Sequence, residues 1–335
     1  MQAAFYAPAA FDLTDDERRF FRDADPTGFI LFRRNCESPE QLRRLTSALR
    51  DLTGRGDVPI LIDQEGGRVA RMRPPEWPAF PAAEKFDILY RTAPSSAIEA
   101  ARSNSRAIAL MLRSCGINVD ALPLLDVRQE GATDIIGDRA LGSEPMQVAA
   151  LGRAVLNGLA SAGVIGIVKH MPGHGRALVD SHKELPVVTA SAEELEIDLG
   201  PFERLSSAPM GMTAHVVYTA WDPDRPASMS PIIIREIIRG RIGFDGFLMS
   251  DDIGMEALSG DFGGRAAAVV AAGCDAALHC SGKMDEMIAV AAAVPSLTLD
   301  GEGRLARAMA GTMVETEGPD FETEIAKRDE LLAFA

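Results

Sequence analysis

The sequence predicts an α/β fold of the (β/α)8 TIM-barrel type, on three observations. Eight short apolar runs of strand length alternate with longer helical stretches, the pattern of a parallel sheet. The chain has 335 residues, enough for the roughly 250 of a bare barrel together with its loops. Neither a G-x-G-x-x-G after the first run nor a G-x-x-x-x-G-K-[ST] occurs, so the competing doubly wound sheet lacks its nucleotide cradle.

In chain order the runs are 3–6, 28–32, 58–62, 117–122, 164–168, 210–214, 246–249 and 276–279. The helices between them have recognisable starts. Thr14-Asp15-Asp16-Glu17 is a capping box, in which the Thr hydroxyl and the Glu carboxylate serve each other's backbone N–H. Ser38-Pro39 puts a capping hydroxyl before a proline at the first helical position, and Ser230-Pro231 repeats the device. The acidic stretch from Glu315 to Ala335 reads as a terminal helix, at about 320–335. With no low-complexity linker and no internal repeat, residues 1–335 are expected to form one barrel domain.

Composition narrows the function. Apolar residues make up 47% and charged residues 25%, which is globular composition and excludes a disordered or fibrous chain. Thirty-four basic against 49 acidic side chains give a net charge of −15, which opposes binding to nucleic acid or to an anionic membrane. The N-terminus has no basic region ahead of an apolar run, and no apolar stretch reaches the roughly 20 residues of a membrane span. Four cysteines (Cys36, Cys115, Cys274, Cys280) without a C-x-x-C pair fit a reducing cytoplasm.

Chemistry in a barrel gathers where the strands end, so the residues following each apolar run carry the functional signal. They are polar. Run 58–62 is followed by Asp63-Gln64-Glu65-Gly66-Gly67-Arg68 and Arg71, and run 117–122 by Pro123 and Asp126. Run 164–168 leads into Lys169-His170-Met171-Pro172-Gly173-His174 and then Asp180-Ser181-His182. Runs 210–214 and 246–249 end at His215 and at Ser250-Asp251-Asp252. In a barrel these ends converge on one pocket. Singly, each cluster also fits a solvated loop, and His170 or His215 fits a hydrogen-bonded core histidine.

No metal or other cofactor is expected. His170 and His174 have the i, i+4 spacing of a zinc pair, but Pro172-Gly173 between them forbids the helix that would put both on one face. Acid/base chemistry fits better. Asp251 ends a strand that holds it rigidly, while Asp180 can orient His182, a side chain that exchanges protons near neutral pH. The Gly-containing stretch from Pro172 to Asp180 reads as a mobile loop over the barrel mouth. Periodicity leaves open which of Asp251 and Asp252 faces the pocket.

Several segments together resemble the β-N-acetylhexosaminidases of glycoside hydrolase family 3, of the bacterial NagZ type. They are DQEGGRVAR from Asp63, LPLLD from Leu122, KHMPGHGRALVDSH from Lys169, PASMS from Pro226 and SDDIGM from Ser250. The resemblance implies a two-step retaining mechanism with Asp251 as nucleophile, His182 as acid/base and Asp180 polarising His182. It also implies that Asp63, Arg71, Arg139, Lys169 and His170 hold the terminal sugar, in a locally basic pocket set in an acidic body. The implied substrate is a small carbohydrate or muropeptide, with terminal β-N-acetylglucosamine removed during peptidoglycan recycling by a cytoplasmic monomer. Departures are small: Met171 for Phe, Ile253-Gly254 for Leu-Ser, and Leu122 for Ala.

Two tryptophans and three tyrosines are few for a long polysaccharide cleft, so a pocket for one terminal sugar is expected. Two alternatives remain at this stage. The same nucleophile could transfer the sugar to phosphate, or the barrel could bind sugar without catalysis.

Overall fold

The computed structural model describes residues 1–132, 134–181, 183–313 and 317–334. Among them, eight parallel strands close into a barrel: β1 (Gln2–Tyr6), β2 (Pro26–Leu31), β3 (Ile60–Ile62), β4 (Val119–Asp120), β5 (Ile165–Met171), β6 (Met210–Thr213), β7 (Phe247–Asp252) and β8 (Ala276–His279). The last strand returns to the first, with Phe5 opposite Leu278. Each expected run contributes one strand, in the expected order.

Side chains alternate between two apolar cores, as the two-residue period of a strand requires. Phe5, Ile30, Leu61, Val119, Ile167, Met212, Phe247, Met249 and Leu278 fill the barrel interior. Their neighbours Tyr6, Phe29, Leu31, Ile60, Ile62, Val168 and Leu248 pack outward against the helices.

Strand limits differ from the apolar runs at both ends of the hydropathy scale. β5 and β7 continue into Lys169-His170-Met171 and Ser250-Asp251-Asp252, because the backbone ladder outlasts the apolar side chains. β3 and β4 are shorter than 58–62 and 117–122. Here the Asn118 side chain replaces ladder bonds, accepting from the Ile60 N–H at 2.7 Å and donating to the Val58 carbonyl at 3.0 Å.

The helix starts have the expected chemistry. Thr14 and Glu17 form the capping box of Asp15–Ala24, and the Ser38 hydroxyl accepts from the Gln41 N–H at the start of Pro39–Thr53. The Ser230 hydroxyl accepts from the Ile233 N–H, but the helix behind it, Ile233–Arg241, is a wide π-helix. The terminal helix is Phe321–Leu332, capped by Asp320. It docks on helix Pro94–Ser114 through a buried Arg106–Glu324 ion pair. A small three-stranded sheet, Val187–Val188, Val217–Tyr218 and Asp222–Pro226, was not legible as separate runs. No helix among the described residues is long and apolar enough to cross a membrane.

Asn118→Leu keeps the volume while leaving one buried N–H and one buried C=O without partners. The expected loss is about 2–4 kcal/mol of stability, read as a lower urea midpoint at unchanged m-value.

Candidate active site

At the end of β3 the alternation that sends Leu61 inward also brings Asp63 into the barrel mouth. The chain then doubles back in a short hairpin, Gln64–Gly66 with Val69–Ala70. Its turn needs glycine: Gly66 and Gly67 have φ of +96° and +53°, and a Cβ at Gly66 would stand 2.3 Å from the Pro81 carbonyl oxygen. The buried Gln64 amide clamps the returning strand, accepting from Arg71 N–H and Met72 N–H and donating to the Met72 carbonyl. Arg71 thereby comes to rest with Nη2 2.9 Å from Asp63 Oδ2.

β5 supplies Lys169, whose buried Nζ lies 3.3 Å from Asp63 and 2.7 Å from Glu65. Glu65 also receives Arg139 in a two-point pair, both contacts 2.8 Å. Burial would raise the Asp63 and Glu65 carboxyls, but Lys169 with Arg71 and Arg139 with Lys169, respectively, override it and hold both below their ordinary range. Burial likewise would lower Lys169, and its two carboxylates raise it instead.

The expectation of a locally basic pocket is therefore corrected. Arg68, Arg71, Arg139 and Lys169 are matched in the cavity lining by Asp63, Glu65, Asp251 and Asp252, because buried cations require partners. Glu65 was quoted in its motif without a role, and its pairing with Arg139 spans 74 positions.

On the opposite side, His170 donates through Nδ1 to Asp126 Oδ2 at 2.8 Å and turns Nε2 toward Asp251 Oδ2 at 4.0 Å. Asp126 also accepts from the backbone N–H groups of His170 and His174, at 3.2 and 2.6 Å. Burial would raise the Asp126 carboxyl, and His170 reverses the direction. Sequence reasoning noted Asp126 as a strand-end residue and missed this use.

The adjacent aspartates of β7 both line the cavity, past an irregularity in the β7–β8 register, and their surroundings distinguish them. Phe247 and Met249 point inward, and Asp251 continues that face toward His170. Burial would raise Asp251, but His170 and His215 keep it below the ordinary carboxylate value. Asp252 reaches the rim with its carboxylate spent on the N–H groups of Gly254 and Cys280, at 2.9 and 3.2 Å. Burial, reinforced by Asp251, pushes it up to about 6. His215 sits fully buried behind both, bonded to the Ser228 hydroxyl and the Asp252 carbonyl, as a core histidine should be.

The loop after β5 was expected to be mobile, yet its first half is well anchored. Tyr218 Oη donates to the Gly173 carbonyl at 2.7 Å, and Arg176 pairs with Asp198 at 2.6 Å. A Cβ at Gly175 would stand 1.9 Å from the Val127 carbonyl oxygen, so the backbone runs flush against its neighbour. Asp180 is half-buried at the far end of the loop, and His182 lies outside the described residues. His170 and His174 meet edge to face at 5.7 Å, each bonded to an oxygen, Asp126 and Ser181 respectively.

Asp63, Arg71, Arg139, Lys169, His170 and Asp251 all line one cavity of about 320 Å³, together with Ser181. That is the low end for small-molecule sites, about 300–1,000 Å³. Among the described lining residues Phe32 is the one aromatic side chain besides histidine.

A barrel with these residues at its strand ends was compared with known proteins. The glycosyl hydrolase family 3 N-terminal domain matches residues 7–309. The chain belongs to glycoside hydrolase family 3. It is 38% identical over 278 residues to the beta-hexosaminidase of Bordetella avium, covering 82% of this chain and 79% of that protein. The beta-hexosaminidase of Alkalilimnicola ehrlichii is 40% identical over 274 residues, covering 80% and 78%. Among solved structures, NagZ from Neisseria gonorrhoeae in complex with N-trifluoroacetyl-D-glucosamine superposes with a TM-score of 0.86 at 33% identity, over 99% of this chain and 97% of that one. The family 3 member described here is thus a glycoside hydrolase of the β-N-acetylhexosaminidase group, NagZ type, as its motifs implied. Neither the phosphate-transfer alternative nor the silent barrel gains support from these relatives.

Two outcomes follow from the charges in this family 3 site. Glu65→Gln leaves the buried Arg139 without its carboxylate and Lys169 with Asp63 as its remaining one, and should cost about 3–5 kcal/mol, measured by urea denaturation. Asp252 has a raised folded-state pKa, so its contribution to stability is present below about pH 4 and is lost as pH rises through about 6. Asp252→Asn cannot ionise, and its unfolding midpoint should rise relative to the wild type between pH 4 and pH 7.

Proposed function

We propose that this protein is a retaining exo-β-N-acetylglucosaminidase. It removes terminal β-linked N-acetylglucosamine from anhydromuropeptides in peptidoglycan recycling, working as a monomer in the cytoplasm. The observation that carries the reading is the inward Asp251 carboxylate, in a cavity for one small ligand whose walls hold the Asp63–Arg71 and Lys169–Glu65 pairs. The related NagZ that binds an N-acylated glucosamine supports the substrate class.

In this mechanism Asp251 attacks the anomeric carbon, forming a C1–O bond as the glycosidic bond breaks, and His182 gives its proton to the departing oxygen. Water then gives a proton back to His182 and displaces the Asp251 ester with a second inversion, so configuration is retained. Asp180 orients His182 and stabilises its charged form, as a carboxylate beside an imidazole does. His170 and His215 keep Asp251 anionic and ready to attack. Asp63 accepts hydrogen bonds from sugar hydroxyls, while Arg71, Arg139 and Lys169 donate to the sugar's oxygens. Carboxylate pairing holds these cations in place before substrate arrives, so little ordering is left for the bound state.

The test is mass spectrometry after incubation with a slow 5-fluoro N-acetylglucosaminide. The sugar should be found on the peptide containing Asp251, and Asp251→Ala should lower kcat by about a thousandfold or more. A label on Asp252, or undiminished turnover of Asp251→Ala, would overturn the assignment.

A further inference from the structure

Between Asp180 and His182 stands Ser181, which no part of the mechanism uses. It is buried, lines the same cavity as Asp251, and has its Oγ 3.2 Å from Nε2 of His174, seven positions earlier on the loop. His174 is equally buried, and its Nδ1 has no hydrogen-bond partner among the described residues, so the ring's one hydrogen bond among them is the one to Ser181. Burial pushes the His174 imidazole down to about 4, which leaves it neutral at working pH and able to share a single proton with a hydroxyl.

The two halves of the loop are secured differently. The near half has Tyr218 on Gly173, Arg176 on Asp198, and the His174 N–H on Asp126. The far half has the Ser181 hydroxyl on His174 and the Ser181 carbonyl accepting from Ala257 N–H at 3.3 Å. Between them Ala177 is buried and Leu178 points to solvent. The Ser181–His174 bond thus closes the loop on itself and ties its far end to the Asp126 carboxylate that also holds His170.

We propose that Ser181 is a positioning residue, and that its clasp on His174 fixes its own stretch of loop against the cavity so that proton transfer to the leaving group is efficient. This rests on the reading of Asp180 and His182 as the acid/base pair. In this role Ser181 acts through the segment it holds. General acid help matters most when the leaving oxygen is a poor one, so loss of the clasp should fall on poor leaving groups.

The experiment compares kcat/KM for an alkyl and a 2,4-dinitrophenyl β-N-acetylglucosaminide in the wild type, Ser181→Ala, Ser181→Thr and His182→Ala. In Ser181→Ala the alkyl-to-dinitrophenyl ratio should fall about 10–100-fold, with an unfolding midpoint close to wild type. Ser181→Thr, which keeps the hydroxyl, should restore most of the ratio. A structural defect alone would depress both substrates together. If His182→Ala lowers the ratio while Ser181→Ala leaves it at the wild-type value, the clasp is refuted and the acid/base reading stands. If His182→Ala leaves the ratio unchanged, both fall together.

Discussion

The site depends on one geometric constraint, the two-residue alternation of barrel strands carried past the last apolar side chain. Inside the barrel, alternation separates Phe247 and Met249 from Leu248. Beyond the apolar segment the same backbone period sends Asp63, Lys169 and Asp251 into the mouth. The apolar layers beneath act as a floor on which polar groups are set at fixed height and direction. No loop has to find those positions. Preorganisation of this kind is where much of an enzyme's electrostatic advantage originates.

Crowding charges in such a place is costly unless they neutralise one another. Arg71, Asp63, Lys169, Glu65 and Arg139, in that order, form a chain of alternating sign, each partner compensating for its neighbour's loss of water. The chain's net charge of −15 describes the surface and says nothing about this balance. Asp251 stands apart, with imidazoles rather than a guanidinium facing it. A tight ion pair there would occupy the carboxylate, whereas an imidazole at 4.0 Å leaves its lone pairs accessible.

Much of this was legible from residue order. The eight strand runs and the capping residues Thr14 and Ser38 are local features, written where they act. The choice between Asp251 and Asp252 was not, because strands buried on both faces read as unbroken apolar runs and hide their parity. Glu65 and Asp126 were visible as residues but not as partners, since Arg139 and His170 lie 74 and 44 positions away. β3 and β4 were legible as strands but not their shortness, because Asn118 does with an amide side chain what a ladder normally does with backbone. The π-helix at Ile233–Arg241 follows a normal cap and an amphipathic sequence, so nothing local marks its wider winding.

Asp126 makes two separate parts of the site answer to one residue. One fully buried carboxylate serves His170, which faces Asp251, and the backbone N–H of His174 in the loop after β5. Substitutions on the sugar side and on the loop side are therefore read through a common node, and their effects on the enzyme do not add. The two segments therefore behave as one unit, joined by a single buried carboxylate.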